Sequence, residues 1–397
     1  MNRTYEFKLS PTKSQEERLV YCLDASRSVY NWALEDRRDL YQYGKCSTSF
    51  YDQCKWLVEL KKERPWLCDV HVHILQTALK RVDLAFQAFF RRIREGQKPG
   101  YPRFKGKNYF KSFSFKENEN GFKLERKRLS ISKVGRVRIR RHREIEGKIK
   151  SCTIKRLADG WFAYIVTEVP DPPKNMLFKP VGVDMGLNCF AADSDGGKAK
   201  NPRILKKALA DIKRQQRVLA RREKKSGRRQ DAKDVLGKMH LKVERCRKDF
   251  HYEVAGDLIA RFNPLFFEAL DIVEMIRKAT QDKKEHKKYA AKSENILDAA
   301  WGKFLQRIRS KARNAGSVIM TVDPRGTSQR CSGCCAVVKK GLNVRIHSCP
   351  WCGLTIDRDL NAAINILLLG LMLLREEGTE WIVLSAREQV GALFSVN

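Results

Sequence analysis

Acidic residues are in short supply: 46 Asp and Glu stand against 80 Lys and Arg, a formal net charge of +34 over 397 residues. An excess this large opposes folding through self-repulsion, so a polyanion is expected to neutralise it. Nucleic acid is the leading partner, because each phosphate contact by Lys or Arg releases a condensed counterion. A membrane partner would call for a basic amphipathic helix with an aromatic-rich apolar face, and no such segment stands out. Long apolar runs are missing too. The longest, Ala362 to Leu374, has 13 residues and is interrupted by Asn365. That is too short for a bilayer and suits a buried helix. The opening MNRTYEFKLSPT lacks an apolar signal segment, so an intracellular protein is expected. A secreted disulfide framework is absent as well. Of twelve cysteines, eight are scattered: Cys22, Cys46, Cys54, Cys68, Cys152, Cys189, Cys246 and Cys335. In a reducing compartment these read as small buried hydrophobes.

The length is too great for one ordinary core, so two or three domains are expected. Thr4 to Leu9 reads as a strand ended by Pro11. Ser14 and Glu17 make a capping-box pattern, with Leu19, Leu23, Tyr30 and Leu34 at helical spacing behind it. A second helix is expected from about His73 to Arg94, with Leu75, Ala78, Leu79, Val82, Phe86, Phe89 and Ile93 as its apolar stripe. From about Tyr109 to Val169 the period changes to two. Val134 to Arg143 alternates apolar and basic residues, giving one core face and one cationic face. Asp159-Gly160 marks a hairpin between Cys152–Leu157 and Trp161–Val169. The region is a small barrel or sheet that Thr4 to Leu9 could join, with the helical unit inserted.

Two stretches carry cations in quantity. Gly96 to Lys107 interleaves Lys98, Arg103, Lys105 and Lys107 with Tyr101 and Phe104. Such rings can stack on bases while the cations hold phosphates; a solvated loop with two anchoring rings is the equal alternative. Residues 206–248, after the linker Asp171-Pro172-Pro173, hold 17 Lys and Arg against 5 Asp and Glu, in helical sequence broken near Ser226-Gly227. The imbalance exceeds what mutual ion pairs absorb and favours a nucleic-acid backbone. Arg138, Arg140, Arg217 and Arg221, with Lys98, Tyr101, Arg103, Phe104 and Lys105, are the candidate nucleic-acid contacts.

The strongest local signal is Cys331-Ser332-Gly333-Cys334 followed by Cys349-Pro350-Trp351-Cys352. Two C-x-x-C knuckles place four thiolates around one tetrahedral Zn2+, with no position left open, so the zinc is structural. The 14 intervening residues suit a short β-excursion. Gly353 allows a positive φ after the second knuckle, where the first has Cys335. The acids are placed suggestively. Val181-Gly182-Val183-Asp184 and Leu265-Phe266-Phe267-Glu268 are apolar strands ending in carboxylates. A helix-compatible segment, Asn295 to Asn314, and a strand, Val318 to Val322, follow the second. Asp357 and Asp359 open the helix in IDRDLNAAINI. Singly, each could be a turn residue or an N-cap. Together, in a cationic protein, they are the oxygen ligands expected for two Mg2+ in phosphodiester hydrolysis.

These residues resemble the OrfB/TnpB family of transposon-encoded RNA-guided DNA endonucleases, relatives of miniature type V CRISPR effectors. The likeness lies in Pro11…Gln15…Arg27…Tyr30-Asn31, KPGYPRFKGK, VGVDMG, RKDFHYEVAGDLI before Glu268, and TSQRCSGC…CPWCG…DRDLNAAINI. It implies an α+β multidomain chain: a wedge-type β-barrel with an inserted helical recognition unit, then a RuvC-like (RNase H-type) α/β nuclease domain with an inserted zinc ribbon. The implied segments are 1–9 (first barrel strand), 10–95 (helical unit), 96–175 (rest of the barrel), 176–326 (nuclease), 327–355 (ribbon) and 356–376 (end of the nuclease). A tail at 377–397 matches nothing and is expected to be mobile. By the same resemblance Asp184, Glu268 and Asp359 are the catalytic acids, with Asp357 ranked below Asp359. Family members usually have Asp or Asn where Ala269 follows Glu268.

The implied activity is cleavage of double-stranded target DNA beside a short flanking motif, directed by a guide RNA from the transposon end, leaving 5′-phosphate and 3′-hydroxyl ends. Base pairing would then supply sequence specificity. The alternatives are a type V CRISPR effector, an RNA-guided repressor that has lost an acid, and a DNA transposase. The cysteine knuckles lie between Glu268 and Asp359 in sequence. Cys349→Ser is therefore expected to lower DNA cleavage more than RNA binding, compared by cleavage assay and gel shift; the reverse order would assign the ribbon to RNA binding.

Overall fold

The computed structural model describes residues 1–281, 294–341 and 343–376. The tail at 377–397, expected to be mobile, lies outside the described residues. The chain divides into two compact units, Met1–Pro170 and a second beginning at Asp171, at the Asp171-Pro172-Pro173 linker.

In the first unit, β1 (Asn2–Ser10) leads into three helices, α1 (Lys13–Gly44), α2 (Phe50–Glu63) and α3 (Val72–Arg94). Seven further strands follow: β2 (Ser112–Phe115), β3 (Glu117–Asn118), β4 (Gly121–Leu124), β5 (Arg128–Ile131), β6 (Gly135–Arg140), β7 (Lys148–Leu157) and β8 (Gly160–Glu168). The sheet order is β2-β7-β8-β1-β6-β5-β4-β3. The first strand thus pairs with β8 and β6, both far later in sequence, and the helices are an insertion between strands. The end strands β2 and β3 are not hydrogen-bonded to one another among the described residues. The expected barrel is therefore an open sheet. Closure needs a full ladder between the end strands, and β3 has only 2 residues.

Local rules explain the helices. The N-cap of α1 is Thr12, whose side chain accepts from the amide of Gln15, while Gln15 Oε1 accepts from the amide of Thr12. The expected box at Ser14 and Glu17 is displaced two residues, because Pro11 lies just ahead of Thr12 and the chain enters the helix immediately after it. A second reciprocal box, Ser49 with Asp52, starts α2. The face of α1 carrying Leu19, Cys22, Val29 and Ala33 is buried, as are Leu75, Ala78, Leu79 and Val82 of α3. The expected stripe of α3 does not continue inward to its end, since Ile93 is exposed. On β6, Val137 and Ile139 are buried while Arg136, Arg138 and Arg140 are exposed, the alternation expected of a half-buried strand. Of the scattered cysteines, Cys22 and Cys152 are buried, but Cys46, Cys68, Cys246 and Cys335 are exposed, so the buried-hydrophobe reading holds for part of the set.

The second unit is built on a five-stranded sheet. Its strands are β9 (Val181–Asp184), β10 (Cys189–Asp193), β11 (Lys198–Lys200), β12 (Leu265–Glu268) and β13 (Ile319–Val322), in the order β11-β10-β9-β12-β13. β9, β10 and β11 are antiparallel neighbours; β9, β12 and β13 run parallel. The parallel strands β9 and β12 are short apolar runs buried on both faces, as such strands must be. Between β11 and β12 stand α4 (Ile204–Arg221) and α5 (Gly227–Arg261), the latter capped by Ser226. After β12 come α6 (Ile272–Gln281) and α7 (Trp301–Asn314). The helix expected over 295–314 is broken at Ala300, which has a φ of 51°. A two-stranded ribbon, β14 (Ile346–Ser348) with β15 (Thr355–Asp357), precedes the last helix α8 (Arg358–Glu376).

Helix α8 lies against the sheet through two glycines. A Cβ on Gly182 of β9 would strike the backbone of Ala363 and Leu367, and one on Gly370 would strike the ring of Phe266. Bare backbone on one partner lets the other approach. Overpacking costs about 1–3 kcal/mol when side chains can yield; backbone atoms at Gly182 yield less. Gly182→Ala is expected to lower the melting temperature of the second unit by roughly 3–10 °C, measured by calorimetry. An unchanged transition would show that α8 is not seated on β9.

Candidate carboxylate and cysteine sites

The register of the parallel strands fixes two acids. Leu265 pairs with Val181, Phe266 with Gly182 and Phe267 with Val183. One step further on, Asp184 and Glu268 end adjacent strands at their carboxyl ends, the edge where open α/β sheets place their chemistry. The third acid, Asp359, comes from the first turn of α8, which the Gly182 contact seats over β9.

Asp184 feels the charges of the other two carboxylates. Asp184 is pushed up to about 7, first by burial, then by the charges of Glu268 and Asp359; Arg358 and the amide of Met185 pull weakly the other way. Glu268, 8% exposed, is also raised by burial, opposed by the hydroxyl of Thr327. That hydroxyl donates to Glu268 Oε1 at 2.5 Å. Arg345, at the foot of the ribbon, comes within 3.8 Å of Asp359 Oδ1. Asp357 is engaged differently. Its Oδ1 accepts from the amides of Asp359 and Leu360, at 2.9 and 3.2 Å, and its Oδ2 pairs with Lys198 at 2.7 Å. It is the cap of α8, which separates its role from that of Asp359. Carboxylate oxygens are donors of the kind a hard divalent ion takes. Among the described residues, the group of three or more such ligand side chains close enough to share one metal ion is the cysteines, whose four sulfurs lie within 4.8 Å of one another.

That cysteine cluster comprises Cys331, Cys334, Cys349 and Cys352 and could hold a metal ion. The Sγ atoms of Cys331 and Cys352 are 3.6 Å apart, and those of Cys334 and Cys349 3.5 Å. Zinc–sulfur bonds of about 2.3 Å give a tetrahedral edge near 3.8 Å, so the cluster fits Zn2+. The knuckles share one construction: the amide of Cys335 bonds to Cys331 O, and that of Gly353 to Cys349 O. Both residues have positive φ, 62° at Cys335 and 73° at Gly353. Cys335 therefore bears the strain that glycine avoids in the second knuckle. Backbone amides of Cys352 and Trp351 lower the Cys349 thiol, while those of Cys334 and Cys352 in the same cluster are raised.

The candidate nucleic-acid contacts divide. Arg138, Arg140, Arg217, Arg221, Lys98 and Arg103 are exposed. Tyr101 packs edge-on against Phe86 and Phe89, and Phe104 lies under Arg38. Lys105 is pinned through its backbone to Asn31 and its ammonium lies over Tyr30. These rings anchor the loop, yet they remain 47% and 49% exposed.

Three site residues escaped the sequence reading. Thr327 opens the TSQRCSGC block but carries no charge or metal-binding group to mark it. Asn361 and Asn365, one helical turn apart on α8, are 0% and 4% exposed. Their signal was present in the polar interruption of the apolar run, which marks a buried hydrogen-bonding role.

Three family models match segments of the chain: one for OrfB/IS605 proteins, described as "Probable transposase", over 164–279; a "Helix-turn-helix domain" over 1–46; and "Cas12f1-like, TNB domain" over 301–366. The 1–46 segment is here a strand followed by one long helix. The chain is 28% identical to "Putative RNA-guided DNA endonuclease InsQ" of Escherichia coli (strain K12), over 93% of this chain and 92% of that protein. It is 27% identical to a "Putative RNA-guided DNA endonuclease" of Streptomyces pristinaespiralis, over 94% and 90%. Among solved structures, the protein in "Cryo-EM structure of the Cas12f1-sgRNA-target DNA complex" has a similar mixed α+β multidomain fold, with a TM-score of 0.55 at 14% identity, over 89% of this chain and 82% of that one.

Without metal, the folded chain holds a proton on Asp184 that the unfolded chain sheds near pH 4. The cost of ionising it grows as pH rises from about 4 to 7 and is complete above 7. Asp184→Asn removes that cost. Its metal-free melting temperature is expected to exceed that of the parent by roughly 2–6 °C at pH 8 and by less at pH 5. A gap that shrinks with rising pH would contradict the crowding of the acids.

Proposed function

The chain is a relative of the OrfB/TnpB family along nearly its whole length, and from that premise we propose that it is a transposon-associated RNA-guided DNA endonuclease, with a guide RNA and double-stranded target DNA as partners. The observation that carries this reading is the gathering of Asp184, Glu268 and Asp359 in a chain of net charge +34. A binding protein gains nothing from mutually repelling, half-buried carboxylates in a polycation.

The second unit supports a RuvC-like, RNase H-type fold: three antiparallel strands continued by two parallel ones, with acids on β9, β12 and the closing helix. Asp184, Glu268 and Asp359 would hold two Mg2+. Bound there, these ions supply activation of the attacking water and stabilisation of the leaving oxygen. The chain's own residues do the rest. Thr327 orients one oxygen of Glu268, and Asp357 with Lys198 fixes the first turn of α8. Arg345 offers a guanidinium at the rim where a phosphate would lie. The four cysteines would hold one structural Zn2+ beside this site. Arg138 and Arg140 of β6, the Gly96 to Lys107 loop, and Arg217 and Arg221 of α4 would hold nucleic-acid backbones. Specificity for sequence would come from pairing with the guide RNA.

No helix among the described residues is long and apolar enough to cross a membrane, and we place the protein in the cytoplasm with the nucleoid DNA. The Cas12f1-like segment at 301–366 favours a type V CRISPR effector as the second reading; a repeat array beside the gene, in place of a transposon end, would select it. A repressor is disfavoured because all three acids are present.

The protein purified with its native transcript is expected to cut a target plasmid in Mg2+. Asp184→Ala or Glu268→Ala should reduce the rate by at least roughly 100-fold, the scale of removing one group aimed at transition-state charge. Cleavage that survives both substitutions would remove the site assignment, and equal cleavage without RNA would remove the guided mechanism.

A further inference from the structure

A continuous line of polar contacts, part-buried at the first cysteine knuckle and buried toward Glu268, joins the two. It starts at the first knuckle, where the amide of Ser332 donates to Asn361 Oδ1 at 3.0 Å. Asn361 Nδ2 donates to Arg330 O at 2.8 Å. One turn along α8, Asn365 Nδ2 donates to the same carbonyl at 2.7 Å and to Thr327 O at 2.8 Å. Thr327, 3% exposed, then donates its hydroxyl to Glu268 Oε1.

The hydroxyl has one proton and two acceptors in reach, Glu268 Oε1 at 2.5 Å and Pro324 O at 3.2 Å. A carboxylate oxygen is the stronger acceptor of the two, so the hydroxyl is directed to Glu268. The two asparagines have no other reason to interrupt an apolar helix. Buried amides are costly unless hydrogen-bonded, and these spend their donors on the loop that carries Thr327.

We propose that Thr327, held by Asn365 and Asn361, is a positioning residue that couples the cysteine site to the carboxylate site. With the knuckles clamped on α8, residues 327–332 have one path, and the Thr327 hydroxyl fixes the Glu268 oxygen that a divalent ion would use. Loss of the metal from the cysteines frees this loop and loosens the carboxylate without touching it. The inference rests on the carboxylate site described above and extends it to the ribbon.

The test uses the full chain free of nucleic acid, Mn2+ as probe, and electron paramagnetic resonance of unbound Mn2+ as readout, with zinc content measured in each preparation. Thr327→Val keeps the shape and removes the hydroxyl; its Mn2+ affinity should fall by about 10-fold, as for other lost partners of a metal-binding carboxylate, with one zinc per chain retained. Thr327→Ser should recover to within about two-fold. Asn365→Leu should fall in the same direction as Thr327→Val. If valine disturbs packing, Thr327→Ala carries the same test, since it lacks the hydroxyl and asks for no added space. Parental Mn2+ affinity without the hydroxyl, alongside its loss in Glu268→Gln, overturns the coupling alone. A Thr327→Ser as weak as Thr327→Val also overturns it, because packing would then be the cause. Parental affinity in Glu268→Gln takes down the carboxylate site and this inference together.

Discussion

The backbone of α8 rests directly on the backbone of β9, and the rest of the second unit follows from that contact. Gly182 makes it possible by leaving no Cβ between the strand and Ala363 or Leu367. Gly370 repeats the device against Phe266 at the other end of the helix. Interiors close to this density transmit displacement rather than absorb it. The helix therefore has one seat, and its first turn carries Asp359 to the ends of β9 and β12. Asp357 and Lys198 lock that turn from outside. An acid from the last element of the unit thus meets acids from its first and fourth strands without any loop having to find them.

Electrostatics then sets the terms on which the site exists. A carboxylate pushed up to about 7 by burial and two like charges is a poor stabiliser of the empty fold. The surplus of 34 positive charges is a poor stabiliser too. The two excesses have opposite sign and different range. Surface cations are screened within about 8–10 Å at physiological salt, so most of the surplus does little for the buried acids. Under the proposed function they are matched by a polyanion, and the acids by small divalent cations. Each kind of partner has its own part of the chain.

Much of this was legible in the residues, and the failures have physical causes. Asp184 and Glu268 stood out as carboxylates ending short apolar runs, the family resemblance set Asp359 above Asp357, and the cysteines could be named because their spacing is that of a tetrahedral site. The strand–helix order of the first unit followed from a change of period near Tyr109. Closure of its sheet did not follow, because closure depends on the two end strands meeting, and a two-residue β3 leaves no trace in periodicity. The capping box slipped by two residues for a similar reason: Thr12-Gln15 and Ser14-Glu17 obey the same pattern, and only the entry of the chain after Pro11 separates them. The break at Ala300 is invisible in sequence because alanine is a strong helix former and nothing marks it for a positive φ.

The residues that sequence missed share one property: they act through others. Thr327 has no chemistry of its own to announce, and it matters only because it meets Glu268. Asn361 and Asn365 could be seen as polar interruptions, but what they hold are carbonyls and an amide of a loop some thirty residues earlier. Backbone groups carry no sequence signature at all. A site's charged members can therefore be read from composition and spacing, while the groups that fix their geometry are found only once the fold brings distant backbone to hand. Here that distinction falls along a single helix. Asp359 declares itself from one turn of α8, and the next two turns spend their polar side chains silently, binding the cysteine knuckles to the strand end where Glu268 waits.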